Sequence, residues 1–252
     1  MSCGADPRLI LYMTDILELH AVSKNFAALR VTDAVSFSVP HGQALGIIGP
    51  NGAGKSTLFN LITGNILADQ GKISFLGQDV TRLAPMARVR MGVGRSFQIP
   101  QPFDGMTVYE NLLVAAAYGQ NRPEAAVAEP CTEILRDTGL LPRANQLAGG
   151  LTLLDRKRLE LARAMATGPK LLLLDEIAGG LTEGECGALI DTIRALQTSG
   201  VTIVWIEHVL HALTSVVDRL LVLDFGRVIG IGAPDEIMAS RAVREIYLGL
   251  EA

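Results

Sequence analysis

The stretch that constrains this chain most is "GPNGAGKS", Gly49 to Ser56. It fits G-x-x-x-x-G-K-[ST], and its flanks suit it. An apolar, strand-like run, "QALGIIG", leads in, and a helical run, "LFNLITG", leads out before Gly64 stops it. The physics is direct. Glycines let backbone N–H groups turn inward round phosphate oxygens, and the N-terminus of the next helix adds positive potential. Gly49, Pro50, Asn51, Gly52, Ala53, Gly54 and Thr57 shape such a cradle. Lys55 can reach the β- and γ-phosphates, and the Ser56 hydroxyl can ligate Mg²⁺. Without those flanks the same residues would read as a glycine-rich turn. Alone, the loop says only that a nucleoside triphosphate is bound.

Around the loop the chain is ordered as an α/β protein. Residues 15–48 read as short strands, "ILELHAV", "AVSFSVP" and "QALGIIG", and "GKISFLGQDV" as a further strand and turn. From about residue 91 to 167 the character turns helical, in "TVYENLLVAAAYG", "EAAVAEPCTEILRDTG" and "DRKRLELARAMATG". After Gly168-Pro169 strands alternate with helices again: "KLLLLDE", "EGECGALIDTIRALQTSG", "VTIVWIE", "HVLHALTSVV" and the hairpin "RLLVLDFGRVIGIG". The expectation is a core over residues 15–90 and 168–252, covered on both faces, with a helical insert over about 91–167.

Composition narrows the classes. The 252 residues suffice for one large domain, or a core with a subdomain. A net charge of -4 argues against nucleic acid as a partner. Cys3, Cys131 and Cys186 lack metal-like spacing and read as reduced thiols of a cytosolic protein. Although 49% of residues are hydrophobic, no apolar run reaches the ~18–20 needed to span a bilayer. No secretory signal is evident in "RLILYM". Residues 1–14 read as an extension, with Met13 the expected natural start.

A second half-site follows the strand "KLLLLDE". It puts Asp175 at the carboxyl edge of a buried sheet, where ligands of such sheets bind. Asp175 can hold Mg²⁺, and Glu176 can polarise an attacking water. "DFG" at Asp224 to Gly226 imitates a kinase metal motif, but it lies between two strand-like runs and reads as turn chemistry. The basic groups Arg82, Arg88, Arg90 and Arg95 read as a solvated face or the rim of a partner contact.

Taken together, "GPNGAGKST" and "LLLLDE", with a helical insert between them, resemble the nucleotide-binding subunit of an ATP-binding cassette (ABC) transporter over nearly the whole chain from about Asp15. The resemblance implies an α/β P-loop NTPase (RecA-like) core, an N-terminal antiparallel β subdomain and an inserted helical subdomain. It implies ATP hydrolysis coupled to transport, with ATP and Mg²⁺ bound. Gln98 in "GRSFQIP" matches the glutamine that senses the metal and links core to insert. His208 in "VWIEHVL" matches the switch histidine at the γ-phosphate, and Ala178 to Thr182 occupy the D-loop. Phe26 falls where the family stacks an aromatic on adenine. The metal set is then Ser56, Gln98 and Asp175, and the catalytic set Glu176, His208 and Lys55.

Such subunits work as facing pairs, each closing the other's ATP site with a Leu-Ser-Gly-Gly-Gln-type signature ahead of a helix. "LAGG" at Leu147 to Gly150 lies one helical turn too early. The aligned segment is Leu151-Thr152-Leu153-Leu154-Asp155, where Thr152 keeps a hydroxyl but leucines replace the glycines. Either the backbone still donates to phosphate with the leucines turned away, which allows a pair of like chains, or bulky leucines and an acid weaken the site, which points to a different ATPase partner; the second is the reading taken. "GRSFQIPQPFDGMTVYENLLVAA" and the ending "VREIYLG" resemble ATPases of branched-chain amino-acid importers. That resemblance implies permease partners, a periplasmic binding protein acting indirectly, and a place on the inner face of the membrane. Ile177 replaces the usual proline after the acid pair, and Thr182 replaces the usual D-loop aspartate. The competing readings are a lipopolysaccharide-type exporter ATPase, a soluble non-transport ABC protein, and a degenerate regulatory subunit. Intact Lys55, Asp175, Glu176 and His208 argue against the last.

Overall fold

The computed structural model describes residues 15–248. The expectations for residues 1–14, and the last residue of "VREIYLG", lie outside them. The chain opens with a long antiparallel hairpin, β1 (Asp15–Phe26) and β2 (Leu29–Pro40). Next come β3 (Ala44–Ile48), α1 (Lys55–Thr63), β4 (Gln70–Phe75), β5 (Gln78–Asp79), α2 (Pro85–Met91) and β6 (Val93–Arg95). The helical layer holds α3 (Val108–Gln120), α4 (Glu124–Asp137) and α5 (Leu153–Ala166). Then follow β7 (Leu171–Asp175), α6 (Glu183–Thr198), β8 (Thr202–Ile206), α7 (Leu210–Thr214), β9 (Arg219–Asp224), β10 (Arg227–Gly232), α8 (Pro234–Ala239) and α9 (Arg241–Leu248).

Among the described residues the strands form two sheets. One is antiparallel, in the order β2-β1-β4-β5. The other runs β10-β9-β3-β8-β7-β6; its strands are parallel from β9 to β6, and β10 closes the edge antiparallel. The alternation of side chains along β7 shows why the sheets stack. Leu171 and Leu173 enter the core shared with the antiparallel sheet and α1. Leu172 and Leu174 enter the opposite core, under α6 and α7. All four leucines are fully buried, worth roughly 2 kcal/mol each. Helix α5 joins the layers: Leu159, Ala162 and Ala166 pack into the helical layer, and Leu161, Ala164 and Met165 onto the sheet.

Three expectations need correction. The helical insert does not begin at residue 91, because β6 pairs with β7 in the six-stranded sheet. A three-residue strand is too short to show a period. The early strands are longer than they read: β2 reaches back to Leu29, through the polar "RVTD". The four arginines do not share one solvated face. Arg82 and Arg90 are exposed, but Arg88 is fully buried and Arg95 nearly so.

Arg88 crosses under α1 and satisfies carbonyls that a helix end leaves unpaired. Its guanidinium donates to Leu61 O at 2.7 Å, Ile62 O at 2.8 Å, Leu83 O at 3.0 Å and Thr81 O at 3.1 Å. Gly64, at φ +81°, makes room for it: a Cβ there would lie 2.7 Å from Arg88 Nε. Arg88→Met should therefore orphan several buried acceptors and lower unfolding free energy by roughly 3 kcal/mol. Urea denaturation would show this as an earlier midpoint with an unchanged slope.

Candidate nucleotide site

The phosphate loop leaves β3 and enters α1. Gly54 sits at φ +100°, and a Cβ there would press within 2.6 Å of Val31 O. Only glycine fits. Gly52, at φ +84°, has nothing within 4 Å on the side where a Cβ would stand, so this backbone faces open space. The hairpin β9–β10 braces the loop from behind. Its tip, Phe225 and Gly226, has positive φ at both residues (41° and 74°), as a tight hairpin turn requires. Gly226 N donates to Ala53 O at 3.0 Å and Gly226 O accepts from Asp33 N at 2.9 Å. "DFG" is thus a turn, and one that supports the phosphate loop.

Lys55 folds back on its own loop, donating to Gly49 O at 2.7 Å and Pro50 O at 3.0 Å. Burial lowers its pKa, opposed by the charges of Glu176 and Asp175. Above the loop lies a cavity of about 540 Å³, lined by Val31, residues 51–57, Gln98, Glu176 and His208. A second cavity of about 510 Å³ adjoins it and contains Ser56, Gln98 and Asp175 together, with Arg95. The three residues expected to hold the metal therefore share one space.

Asp175 ends β7, buried. Burial raises its pKa, and hydrogen bonding from Arg95 counters that. The Arg95 guanidinium donates to Asp175 Oδ2 at 2.8 Å and Asn60 Oδ1 at 2.6 Å, and lies 4.9 Å from the Phe97 ring and 5.6 Å from that of Phe59. Glu176 follows in the left-handed region at φ +48°, which costs a residue with a Cβ about 1–2 kcal/mol. Both its carboxylate oxygens are engaged: Gln98 Nε2 donates to Oε2, and His208 Nε2 lies 2.7 Å from Oε1. Three residues far apart in sequence thus meet on one carboxylate beside the phosphate loop.

Phe26 and Thr152 stand apart from this cluster. Phe26 ends β1, half exposed, with Lys24 Nζ 5.7 Å from its ring centroid, and is not among the residues lining the cavity. Thr152 caps α5 on an exposed face. Its hydroxyl accepts from Asp155 N at 3.3 Å and donates its only proton to Asp155 Oδ2 at 2.8 Å. Asp155 is buried, with Arg143 at 3.2 Å and Arg158 at 3.8 Å, so this acid is already countered. Val31, Lys157 and Glu207 belong to the site's surroundings and do not stand out in the sequence, and Arg95 stands out there only as one of a group of cations. Lys157 and Glu207 work through backbone atoms and Arg95 through a neighbour's carboxylate, which no spacing rule marks.

A parallel sheet with a glycine-rich loop at the carboxyl end of β3, and acids at the end of β7, defines a phosphate-loop ATPase. The comparisons make this particular. The "ABC transporter" family profile matches residues 32–179. The chain is 34% identical over 251 residues to a probable branched-chain amino acid transport ATP-binding protein, LivG, of Methanocaldococcus jannaschii, covering 93% of this chain and 98% of that one. It is 34% identical over 249 residues to the high-affinity branched-chain amino acid transport ATP-binding protein BraF of Pseudomonas aeruginosa, with the same coverages. It is also 30% identical over 234 residues to the lipopolysaccharide export ATP-binding protein LptB of Haemophilus influenzae, covering 93% and 97%. The crystal structure of the ADP conformation of MJ1267, an ATP-binding cassette of an ABC transporter, superposes with a TM-score of 0.86 at 33% identity, covering 94% of this chain and all of that one. This chain belongs to the ABC transporter family, and it is an ATPase subunit of that class.

Replacing Lys55 by Ala removes both its hold on the loop and its reach to phosphate. Calorimetric titration with ATP should show affinity reduced roughly 100-fold or more, as expected from two charge-assisted hydrogen bonds at ~1.5–3 kcal/mol each. Affinity within a few-fold of the parent would remove Lys55 from the binding role.

Proposed function

We propose that this chain hydrolyses ATP to drive an importer of branched-chain or other hydrophobic amino acids, bound to a permease pair at the inner face of the membrane. Among the described residues no helix is long and apolar enough to cross a membrane; on this reading the permeases supply the path. The observation that carries hydrolysis is the meeting of Gln98, His208 and Glu176 over the phosphate loop, and the likeness to LivG and BraF supports import of branched-chain amino acids. Lys55 and the loop amides take the phosphates, and Phe26 with Val31 takes the base. Glu176 accepts the proton of the attacking water once Gln98 or His208 releases one of its oxygens.

Asp175, Ser56 and Gln98 suit Mg²⁺. They are hard oxygen donors lining one cavity, and Mg²⁺ sites of this kind are completed by phosphates and water rather than by a full protein cage. Bound there, Mg²⁺ supplies charge neutralisation at the β- and γ-phosphates. Arg95 now holds Asp175 Oδ2 and must yield that oxygen or share it.

Passing the closure on to a permease needs a surface beside Gln98. Phe97, Ile99 and Phe103 are all exposed there, too apolar for a solvated loop. The partner ATPase is a different chain on this reading. Leu153 stands exposed where a glycine would let phosphate approach, and the Thr152 proton is committed to Asp155. Asp155, being neutralised, adds less repulsion than its sequence position implies. A periplasmic binding protein would select the solute. The likeness to LptB favours a lipopolysaccharide exporter as the second reading; co-purification with a given permease separates the two.

Glu176→Gln keeps a hydrogen-bonding side chain but cannot take the proton. It should bind ATP normally while kcat falls about 100-fold or more; turnover within a few-fold of the parent means another base acts. The same variant, with ATP and Mg²⁺, settles the pairing by light scattering. It should stay a monomer alone, whereas an ATP-dependent dimer would mean the leucine-bearing signature closes a site by itself.

A further inference from the structure

Two buried charged residues near the site have no part in the chemistry described so far. Lys157 and Glu207 are almost wholly buried, and each is bound to backbone. Lys157 rises from α5 and donates to Ile177 O at 3.1 Å and Glu176 O at 3.4 Å. Glu207, just after β8, accepts Ala178 N–H at 3.0 Å on one oxygen. On its other oxygen it accepts His208 N–H at 2.9 Å and Val209 N–H at 3.3 Å. The cation thus holds two successive carbonyls of the turn 176–178, and the anion holds the amide that follows them. The same anion fixes the backbone of His208, whose ring meets the Glu176 carboxylate. A tie between helix and sheet does not need this. Apolar side chains of similar volume would attach α5 with less desolvation cost. What a buried donor adds is direction, and the residue it directs is Glu176, held at φ +48°.

We propose that Lys157 is a positioning residue for Glu176, and that with Glu207 it joins the signature end of α5 to the hydrolytic carboxylate. Thr152 caps α5 five residues earlier, about 7.5 Å along the helix axis. A rigid helix therefore connects the segment that faces the partner's nucleotide to the backbone of this chain's own base. A shift of α5 on pairing moves Nζ, and with it the Glu176–Ile177 peptide. This rests on Glu176 acting as the base.

The test compares Lys157→Met, which keeps the bulk but loses the donor, with Lys157→Arg, which restores a donor. Both are made in the full chain, assembled with its partner ATPase if the pair is heteromeric. For Lys157→Met, kcat should fall roughly 30-fold while ATP affinity stays within threefold, the split expected when a base is misplaced rather than lost. Amide exchange across 176–181 should quicken about tenfold in the same variant, and Lys157→Arg should regain most of both. Glu207→Gln, which weakens the bracket from its other side, should show the same split, and it carries the test if Lys157→Met does not fold. Parallel falls in kcat and ATP affinity, or parent-like turnover and exchange, overturn the proposal. Glu176→Gln is assayed beside them. If it turns over like the parent, the base assignment fails first; if it is slow and Lys157→Met is not, only the positioning role fails.

Discussion

The site depends on one constraint: strand β7 is buried on both faces and cannot slide. A shift of one residue would exchange Leu171 and Leu173 with Leu172 and Leu174, each set shaped to a different core. At the end of the strand, the same shift would turn Asp175 and Glu176 away from the loop. Five consecutive residue pairs along the parallel ladder with β8, from Leu171 opposite Thr202 to Asp175 opposite Ile206, lock the register. Strand β3 pairs with β8 in turn, and its last residue delivers Gly49 to the same sheet edge. Apolar burial, with no directional chemistry of its own, thereby places two acids, a histidine and a phosphate loop within reach of one another.

The edge so built is expensive in polar groups, and arginines meet much of the cost. Arg88 collects four carbonyls left over by α1 and its neighbours, and Arg95 neutralises Asp175 while lying against two aromatic rings. Planar guanidinium groups with several fixed donors suit this task as a lysine would not. A second arginine network reaches the Gln98 segment. Arg163 donates to Gln101 O at 2.9 Å and Glu160 Oε2 at 3.0 Å, and burial raises the Glu160 pKa against the Arg163 charge. The residues that carry the glutamine are therefore tethered to α5, the helix that also carries Lys157.

How much of this can be read from residues alone follows from how local each signal is. The phosphate loop, the β7 acids and the turn at Asp224 to Gly226 are contiguous, and a few residues fully declare their backbone. Gln98 and His208 were legible through likeness and order, but their meeting on Glu176 needs the sheet. Arg88 and Arg95 misled for the opposite reason: in "RLAPMARVRMGVGR" a run of cations reads as a solvated face, and nothing local says that two of them turn inward. Strand β6 escaped because three residues have no period, and the first half of β2 because "RVTD" is polar. Lys157 is the clearest case. In "LLDRKRLE" it is one basic residue among three, and only the packing of α5 on the β7 turn separates it from Arg156 and Arg158.

Helix α5 is where the two halves of the chain's chemistry meet, and they differ in quality. Beside it, Lys55, Glu176, Gln98 and His208 line the cavity over the phosphate loop, and Asp175 lines the adjoining one. At the N-terminus of α5, five residues before Lys157, the segment proposed to face a second subunit has bulk in place of glycine and a hydroxyl already committed to its own helix cap. A symmetric pair of such chains would use every good catalytic half against a poor closing half. A pair with a different subunit would give this chain's ATP a better signature and leave the weaker signature over the other nucleotide. On the proposed reading, an intact phosphate-loop half beside a poor closing segment fits one strong site and one weak one better than two equal sites. In such an arrangement, the bracket of Lys157 and Glu207 would report closure over the weak site to the base of the strong one.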